Sequence, residues 1–317
     1  MILVTGATGS VGRETVQLLL AAGAHVGAVT RDRASALLPA GADVIDGDPS
    51  RPRTLASRLT GVSAVLISPR AVGSAAADLL SLAAGEGAER AVVLSAATLQ
   101  YPAGMPRFAA EFRDVEDAAR ASGLAVTALR CADFDANALA WAPQIRHGSV
   151  VRSAYAAAAT APIHHRDIAA VAVQALTGTG HQGRNYVLTG PQSLTQPDKV
   201  RLIAQATGLR VSFAEVAPDQ VRQAMLAQGL PEEIPDRLLG SLADYARHPG
   251  PTTDTVERLL GRPALSFAQW AAENAAAFRP SPGERSSREV SWQRGAPGPT
   301  FGRGNATGGP LSPGSRH

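Results

Sequence analysis

The sequence has a single cysteine, Cys131, among its 317 residues. An intrachain disulfide is therefore excluded, and such cysteine usage is typical of a reducing compartment, so we expect a cytoplasmic protein. No apolar run approaches the 18 uncharged residues that a membrane span needs, so no membrane partner is expected. The sequence also lacks the spacing of metal ligands, which predicts that no metal is bound.

A basic surface is lacking as well. The net charge of +3 is accounted for by residues 280–317, which hold five arginines and two glutamates, whereas residues 1–279 are balanced. Binding of nucleic acid would require lysine and arginine clustered in the folded part, so we expect no nucleic-acid partner. Residues 280–317 are rich in glycine, proline and serine and have no apolar period, which predicts a disordered tail.

Glycine is not scarce, and three glycines occur in the opening stretch "MILVTGATGSVGRETVQLLL". An apolar run at residues 2–4 predicts a buried strand, and the period after Arg13 predicts a helix. Glycines at such a turn allow a tight bend, a close approach of backbone to pyrophosphate, and packing of helix on strand. The loop predicts a dinucleotide site, and its expected cofactor-binding residues are Gly6, Thr8, Gly9, Ser10, Val11 and Gly12.

The end of the second predicted strand, "AVTRDR", bears on which dinucleotide is bound. An acidic residue here would bind the ribose 2′-hydroxyl of NAD, whereas an arginine can pair with the 2′-phosphate of NADP. Arg31 comes first and Arg33 follows it, while Asp32 between them could serve the hydroxyl instead. The pattern favours NADP(H) over NAD(H), with solvated loop charges as the alternative reading of the two arginines.

Strands and helices alternate along the first 140 residues. "ADVIDGD", "VSAVLIS", "RAVVLSA" and "LAVTALR" are predicted strands three to six, and residues 50–61 are predicted to be a helix. This rhythm predicts an α/β fold with a Rossmann-type, doubly wound parallel sheet. Residues 1–140 are expected to form the core. Residues 141–279 are expected to form a smaller C-terminal substrate lobe interleaved with it, with Asp167 capping one of its helices.

Five stretches carry a family resemblance: "VTGATGSVG", "LSAAT", "VEDAARASGLAVTALR", "APIHHRDIAAVA" and "YVLTGPQSLT", in this order. Together they resemble the NmrA-like branch of the atypical short-chain dehydrogenase/reductases, over residues 1–278. The resemblance implies a Rossmann fold, NADP(H) binding and a substrate cleft at the C-terminal lobe. It also implies that Ser68 and Pro69 line the cofactor at the end of the fourth strand, and that Asp48 contacts its adenine region; a helix cap is the alternative for Asp48.

The catalytic pair of the ordinary superfamily is absent. A Tyr-x-x-x-Lys pair supplies the proton there, but Met105, Ala159, Gly190 and Pro249 stand four residues after the four tyrosines. The only lysine, Lys199, belongs to a late predicted helix. This disfavours alcohol dehydrogenation and sugar-nucleotide epimerisation by that machinery. It leaves hydride transfer open, because the cofactor supplies the hydride and the protein supplies position and electrostatics.

Several side chains are candidates for the reaction. Ser95 ends the fifth strand, where the superfamily places its catalytic serine and the nicotinamide, although it could instead cap its own backbone. Tyr101 is the best-placed phenol for donating a proton. His164 and His165 are expected to point to opposite faces of an extended segment, so they cannot share a metal. The candidates for substrate contact are Asn137, Phe134, Trp141 and His164, with core packing as the alternative for the aromatic residues.

The sequence therefore predicts an NADPH-dependent reductase. It would transfer a hydride to a carbonyl, quinone or related group of a small aromatic or conjugated molecule, as a monomer or homodimer. Some members of the branch bind the cofactor without turnover, so a non-catalytic redox sensor is the alternative. A lyase or isomerase that keeps the fold and has lost redox chemistry is a third reading.

Overall fold

The short apolar runs of the sequence become strands because both of their faces are covered, as in all parallel sheets. In the computed structural model, which describes residues 1–34 and 36–279, every residue of the first and fourth strands is buried. The predicted disorder of 280–317 lies outside the described residues. The strands are β1 Ile2–Val4, β2 Val26–Thr30, β3 Asp43–Asp46, β4 Ala64–Ile67, β5 Arg90–Ala96, β6 Ala125–Cys131, β7 Val150–Ser153, β8 Ala159–Thr160, β9 Asn185–Leu188, β10 Leu194–Thr195 and β11 Ser212–Glu215.

The helices begin and end where capping residues and glycines allow. Thr195 and Ser266 close capping boxes at the starts of two helices. Gly208 ends the helix that Thr195 caps, and Gly261 ends a third helix, both with positive φ. The helices are α1 Ser10–Ala21, α2 Pro69–Val72, α3 Ala76–Gly85, α4 Pro106–Ala121, α5 Ala142–Gly148, α6 His165–Thr177, α7 Gln196–Thr207, α8 Pro218–Ala227, α9 Glu233–Arg247, α10 Thr255–Leu260, α11 Phe267–Glu273 and α12 Ala275–Phe278.

The main sheet has seven strands in the order β3-β2-β1-β4-β5-β6-β9, and every neighbouring pair is parallel. This confirms the predicted doubly wound, Rossmann-type fold. The chain reverses its direction of winding between β1 and β4, where the loops after the two strands diverge. In sheets of this type, ligands bind at the carboxyl ends of the strands beside that point.

Each face of the sheet is covered by its own apolar layer. On one face, Val16 and Leu19 of α1 pack with Ile168 and Val171 of α6. On the other face, α3 and α4 supply a second cluster that includes Leu79. The sheet is therefore the central layer of a three-layer α/β arrangement, as the alternating sequence pattern predicts.

The remaining elements build a smaller lobe. β7 pairs in parallel with β11, and β8 pairs antiparallel with β10. A third apolar cluster lies here, centred on Phe267, Trp270 and Phe278, all of them buried. The boundary predicted at residue 140 falls within a 3-10 helix, Asp135–Trp141, and remains a prediction.

The helix predicted over residues 50–61 is wrong. The chain forms two 3-10 turns instead, Pro52–Thr54 and Ala56–Arg58. The Thr54 hydroxyl donates to the Arg51 carbonyl at 2.8 Å and accepts from the Asp48 amide at 2.9 Å. The Thr54 side chain thus bonds to the Arg51 carbonyl, which a regular helix would pair with a backbone amide alone.

Asp167 is not the cap predicted for α6. The N-cap residue is His164, whose Nδ1 accepts from the Arg166 amide at 3.1 Å. Asp167 lies inside the first turn, where its carboxylate accepts from the Leu265 amide at 2.7 Å and pairs with Arg262 at 2.7 Å. It is fully buried and ties α6 to the segment before α11.

The Gly12→Ala substitution tests the packing of α1. A Cβ at Gly12 would lie well inside van der Waals distance of the Gly6 carbonyl oxygen, and backbone surrounds it on that side. We expect a loss of about 1–3 kcal/mol in the free energy of unfolding, measured by urea denaturation.

Gly85→Ala in α3 is the matched control. No atom lies within 4 Å of the Cβ that it would add, so this variant should be as stable as the parent or more stable. Equal stability of the two variants would contradict the packing described for α1.

Candidate functional site

The glycine loop between β1 and α1 is shaped so that only small residues fit. Gly6 has a φ of +66°, and a Cβ there would come within 2.9 Å of the Cβ of Ser68. Thr8, Gly9 and Ser10 are exposed at the tip, while Val11 and Gly12 are buried beneath it. No side chain caps α1, so its first amides face the open side of the loop. This cradle, which a Cβ would fill, fits the pyrophosphate of a dinucleotide.

Thr5 positions the loop relative to the end of β4. Its hydroxyl donates to the Leu66 carbonyl at 2.8 Å and accepts from the Ser68 amide at 2.8 Å. Ser68 and Pro69, which were predicted to line the cofactor, therefore lie directly against the glycine loop. Thr5 was not predicted to belong to the site from the sequence, although its position directly after the first strand was the available signal.

The arginines at the end of β2 lie on an exposed edge. The guanidinium of Arg33 donates to the Val44 carbonyl at 3.3 Å, and a carboxylate oxygen of Asp32 accepts from the Ala34 amide at 3.0 Å. Hydrogen bonds from Ser50, and then the nearby charge of Arg31, lower the pKa of Asp48. A carboxylate oxygen of Asp48 also accepts hydrogen bonds from the amide and the hydroxyl of Ser50 and so caps the following turn. Arg31, Arg33 and Asp48, which are predicted to contact the adenosine side of the cofactor, therefore lie on neighbouring loops.

Ser95 is held in a buried network at the end of β5. Its hydroxyl donates at 2.6 Å to Glu116 of α4, which is 1% exposed. Arg130 of β6 binds the same carboxylate with two hydrogen bonds, at 3.0 and 2.8 Å, and Arg120 adds another. Burial opposes ionisation of Glu116, but these hydrogen bonds outweigh it and lower its pKa. To contact a substrate oxygen, the Ser95 hydroxyl would have to leave this bond.

The other predicted proton donor, Tyr101, lies beyond β5 on a loop and is 41% exposed. The segment that follows is held by α9, because the Gly104 amide donates to Asp244 at 2.7 Å. Tyr245, the next residue of the same helix, is partly buried, and this burial raises the pKa of its phenol to about 12. The Tyr245 phenol therefore keeps its proton near neutral pH.

A second polar network follows β6. Asp133 accepts from the lone lysine, Lys199, at 3.0 Å and from Thr160 at 3.1 Å, and Lys199 also donates to Thr160 at 2.7 Å. The amide of Asn137 donates to the other oxygen of Asp133 and is exposed. The network joins the core to the lobe and leaves Asn137 at its surface. The presence of a single lysine in the chain was the signal that sequence reasoning left unused.

The aromatic substrate candidates pack against the core. Phe134 is partly buried against the cluster on the α1 face, and Trp141 is partly buried against the lobe cluster. His164 is fully buried, and its ring stacks on that of His165 with centroids 4.6 Å apart. The expectation of opposite faces for the two histidines is wrong because α6 begins between them. Burial lowers the pKa of both, so they are neutral at physiological pH.

Asp135 is a buried carboxylate in the segment that follows β6. It is 1% exposed, and neither oxygen has a hydrogen-bond partner among the described residues. Burial, and then the charge of Asp133, raise its pKa to about 8. Asp135 therefore holds a proton at neutral pH, and only its burial, which a sequence does not display, reveals this.

Tyr155 follows β7 in a strained conformation. Its φ of +58° is rare for a residue with a side chain, and the buried amide of Gln196 donates to the carbonyls of Ala154 and Tyr155. The Ala156 amide is held by Glu215 at 3.0 Å. Such strain costs on the order of 1–3 kcal/mol and persists where surrounding contacts enforce it.

Within residues 1–34 and 36–279, no group of three or more histidine, cysteine or carboxylate side chains is arranged to hold a metal. No helix in the same part of the chain combines the length and apolarity that a bilayer crossing requires.

Comparison with known proteins gives a consistent result. The sequence matches the NAD(P)H-binding family over residues 6–179. It is 36% identical over 281 residues to a (4-alkanoyl-5-oxo-2,5-dihydrofuran-3-yl)methyl phosphate reductase of Streptomyces griseus subsp. griseus, covering 88% of this chain and 100% of that protein. It is 35% identical over 289 residues to an NAD(P)H azoreductase of Xenophilus azovorans, covering 88% and 99%.

A solved structure is similar over the same region. It is an NADPH-dependent quinone oxidoreductase of Escherichia coli complexed with NADPH, with a TM-score of 0.74 and 25% identity. The match covers 86% of this chain and 99% of that one. These relatives confirm the resemblance stated from the sequence motifs.

Asp135→Asn should change the pH dependence of stability. Because the folded chain keeps the Asp135 proton up to about pH 8 and an unfolded one loses it near pH 4, this group's stabilising contribution falls as pH rises through that window. The amide variant lacks this loss. We expect the free energy of unfolding of Asp135→Asn to exceed that of the parent by about 2–5 kcal/mol at pH 9, with a smaller difference at pH 5, measured by urea denaturation.

Asp78→Asn, on the exposed side of α3, is the control and should follow the parent at both pH values. Parallel pH profiles for the parent and Asp135→Asn would show that Asp135 is ionised in the folded protein.

Proposed function

We propose that this chain, which belongs to the NAD(P)H-binding family, is an NADPH-dependent reductase of a quinone or conjugated carbonyl group on a small molecule. The prediction of an oxidoreductase is confirmed by the relatives, which are a furanone phosphate reductase, an azoreductase and a quinone oxidoreductase. The observation that carries the proposal is the cradle of Gly6, Gly9 and Gly12 against Ser68. The matches to the furanone phosphate reductase and to the azoreductase each cover 88% of this chain.

The cofactor residues follow from that cradle. Backbone amides of Thr8 and Ser10 would bind the pyrophosphate, because these residues lie exposed at the start of α1. Gly9 would let the backbone approach the pyrophosphate, since its own amide already donates to the Gly6 carbonyl at 3.0 Å. Ser68 and Pro69 would bind the ribose side. The preference for NADP(H) rests on Arg31, whose charge is close enough to Asp48 to lower the pKa of that carboxyl. Arg33 is a second cation on the same edge.

The bound nicotinamide would supply the hydride, and the protein would supply position and a proton. We assign Tyr101 as a candidate proton donor because its phenol is exposed on the loop beyond β5. Asn137 would hold a substrate oxygen, since its amide is exposed while anchored to Asp133. Ser95 would contact the substrate at the same edge of the sheet only after its hydroxyl had broken the hydrogen bond to Glu116. Phe134, Trp141 and His164 would support the cleft from behind.

A sensor without turnover is the second candidate function. The hydrogen bond from Ser95 to Glu116 favours it, because the superfamily's usual catalytic serine is engaged inside the protein. Both functions require the cofactor, so turnover separates them. The cytoplasmic location, and the state as a monomer or homodimer, remain predictions.

Turnover is the direct test. Purified protein with NADPH and 1,4-naphthoquinone should consume NADPH at a rate on the order of 1–100 per second, followed by absorbance at the reduced nicotinamide band. Heat-denatured protein is the control for direct chemical reduction. Binding of NADPH by calorimetry without substrate-dependent oxidation would support the sensor and oppose the reductase.

Arg31→Gln tests the cofactor preference. Removing a cation opposite the 2′-phosphate should weaken NADPH binding about tenfold and leave NADH binding within about twofold, measured by calorimetry. Arg258→Gln, on exposed α10 and paired with Asp254, is the charge-matched control and should change neither. A variant that loses both cofactors equally would remove the basis for the NADP(H) preference.

A further inference from the structure

A cavity of about 510 Å³ lies beside the end of β4. Pro69 and Arg70 line it from α2, which follows that strand, Phe108 and Phe112 line it from α4, and Arg237 lines it from α9. Its volume falls within the range of small-molecule sites. Pro69 follows Ser68, which touches the glycine loop, so the cavity adjoins the proposed cofactor site.

Arg237 projects over an aromatic wall of this cavity. Its guanidinium carbon lies 4.4 Å from the centre of the Phe108 ring, and Phe108 meets Phe112 edge to face at 5.1 Å. Within the described residues, this guanidinium forms no ion pair and no hydrogen bond. Burial, followed by the charge of Arg70, lowers the pKa of Arg237. A half-buried cation is thus placed near a second cation without a protein partner.

The acidic residues nearby do not neutralise this pair. Glu111 and Asp114 also line the cavity, but both are exposed on α4 and neither comes within ion-pair distance of Arg70 or Arg237. The charges of Glu111 and Glu233 oppose the lowering of the Arg237 pKa but do not outweigh burial and Arg70. Like charges held together in a partly desolvated cavity repel each other, and a bound anion would relieve that repulsion. The planar guanidinium and the phenyl rings suit a flat apolar group attached to that anion.

We propose that this cavity binds the phosphate group of a phosphomonoester whose flat, apolar body packs on Phe108. Arg237 binds the phosphate from the inner side and Arg70 from the exposed side. The inference deepens the proposed reductase function, on which it rests for the identity of this ligand as a substrate. It assigns the two arginines to specificity rather than to the hydride-transfer step.

The test is calorimetric binding of phenyl phosphate to protein saturated with NADP⁺, so that the cofactor's own phosphate sites are filled. Arg237→Gln and Arg70→Gln should each weaken binding of phenyl phosphate about tenfold. Phe108→Leu should weaken binding of phenyl phosphate but leave methyl phosphate unchanged. Arg107→Gln, an exposed neighbour on α4 that does not line the cavity, is the charge-matched control and should bind as the parent does.

Equal affinity in the parent and in both arginine variants would overturn the site. An equal loss in Arg107→Gln would also overturn it, since the effect would then be general electrostatics, as would loss of all binding on saturation with NADP⁺. If Arg237→Gln proves unstable by thermal denaturation, exposed Arg70→Gln decides the matter. Loss of binding in the variants of a protein that turns over no quinone would uphold the anion site and reject the reductase. Quinone turnover without binding of phenyl phosphate would uphold the reductase and reject the anion site.

Discussion

The fold depends on the contact between α1 and the loop that precedes it. At Gly12 the helix comes so close to the Gly6 carbonyl that no side chain can intervene. That approach sets the angle at which α1 crosses β1, and with it the position of the exposed amides at the loop tip. Thr5 then fixes the end of β4 against the same loop, donating to the Leu66 carbonyl and accepting from the Ser68 amide. The shape of the cofactor cradle is therefore a consequence of packing as much as of binding.

Two buried polar networks lie near the ends of β5 and β6 and have different functions. Glu116 binds Arg130, Arg120 and Ser95, so α4 is fixed to the ends of β5 and β6. Removing one member of such a group typically costs about 3–5 kcal/mol, because a buried charge is left unpaired. Lys199 and Asp133 instead join the lobe to the core. The lysine that cannot assist a catalytic tyrosine by sequence spacing has become a structural cation.

The sequence was sufficient for the layers and for the glycine loop, because both are local patterns. Apolar runs and helical periods identify strands and helices, and three glycines at a strand end identify the turn. The buried polar networks could not be predicted from the sequence, because Lys199 and Asp133 are 66 residues apart and no local pattern around either residue indicates the other. The same holds for Arg237 above Phe108. Local competition also misled it at residues 50–61, where the Thr54 side chain replaces helical hydrogen bonds.

The seventh strand of the sheet has a consequence for how the chain is made. β9 joins the sheet beside β6, and α6 covers the apolar face of α1, yet α6 and β9 emerge some 150 residues after α1. During synthesis, Val16 and Leu19 therefore lack their native contacts with α6 until that helix has been translated. Pairings so distant in sequence delay folding and leave apolar surface open to chaperones in the meantime. Completion of the core is thus tied to translation of much of the lobe.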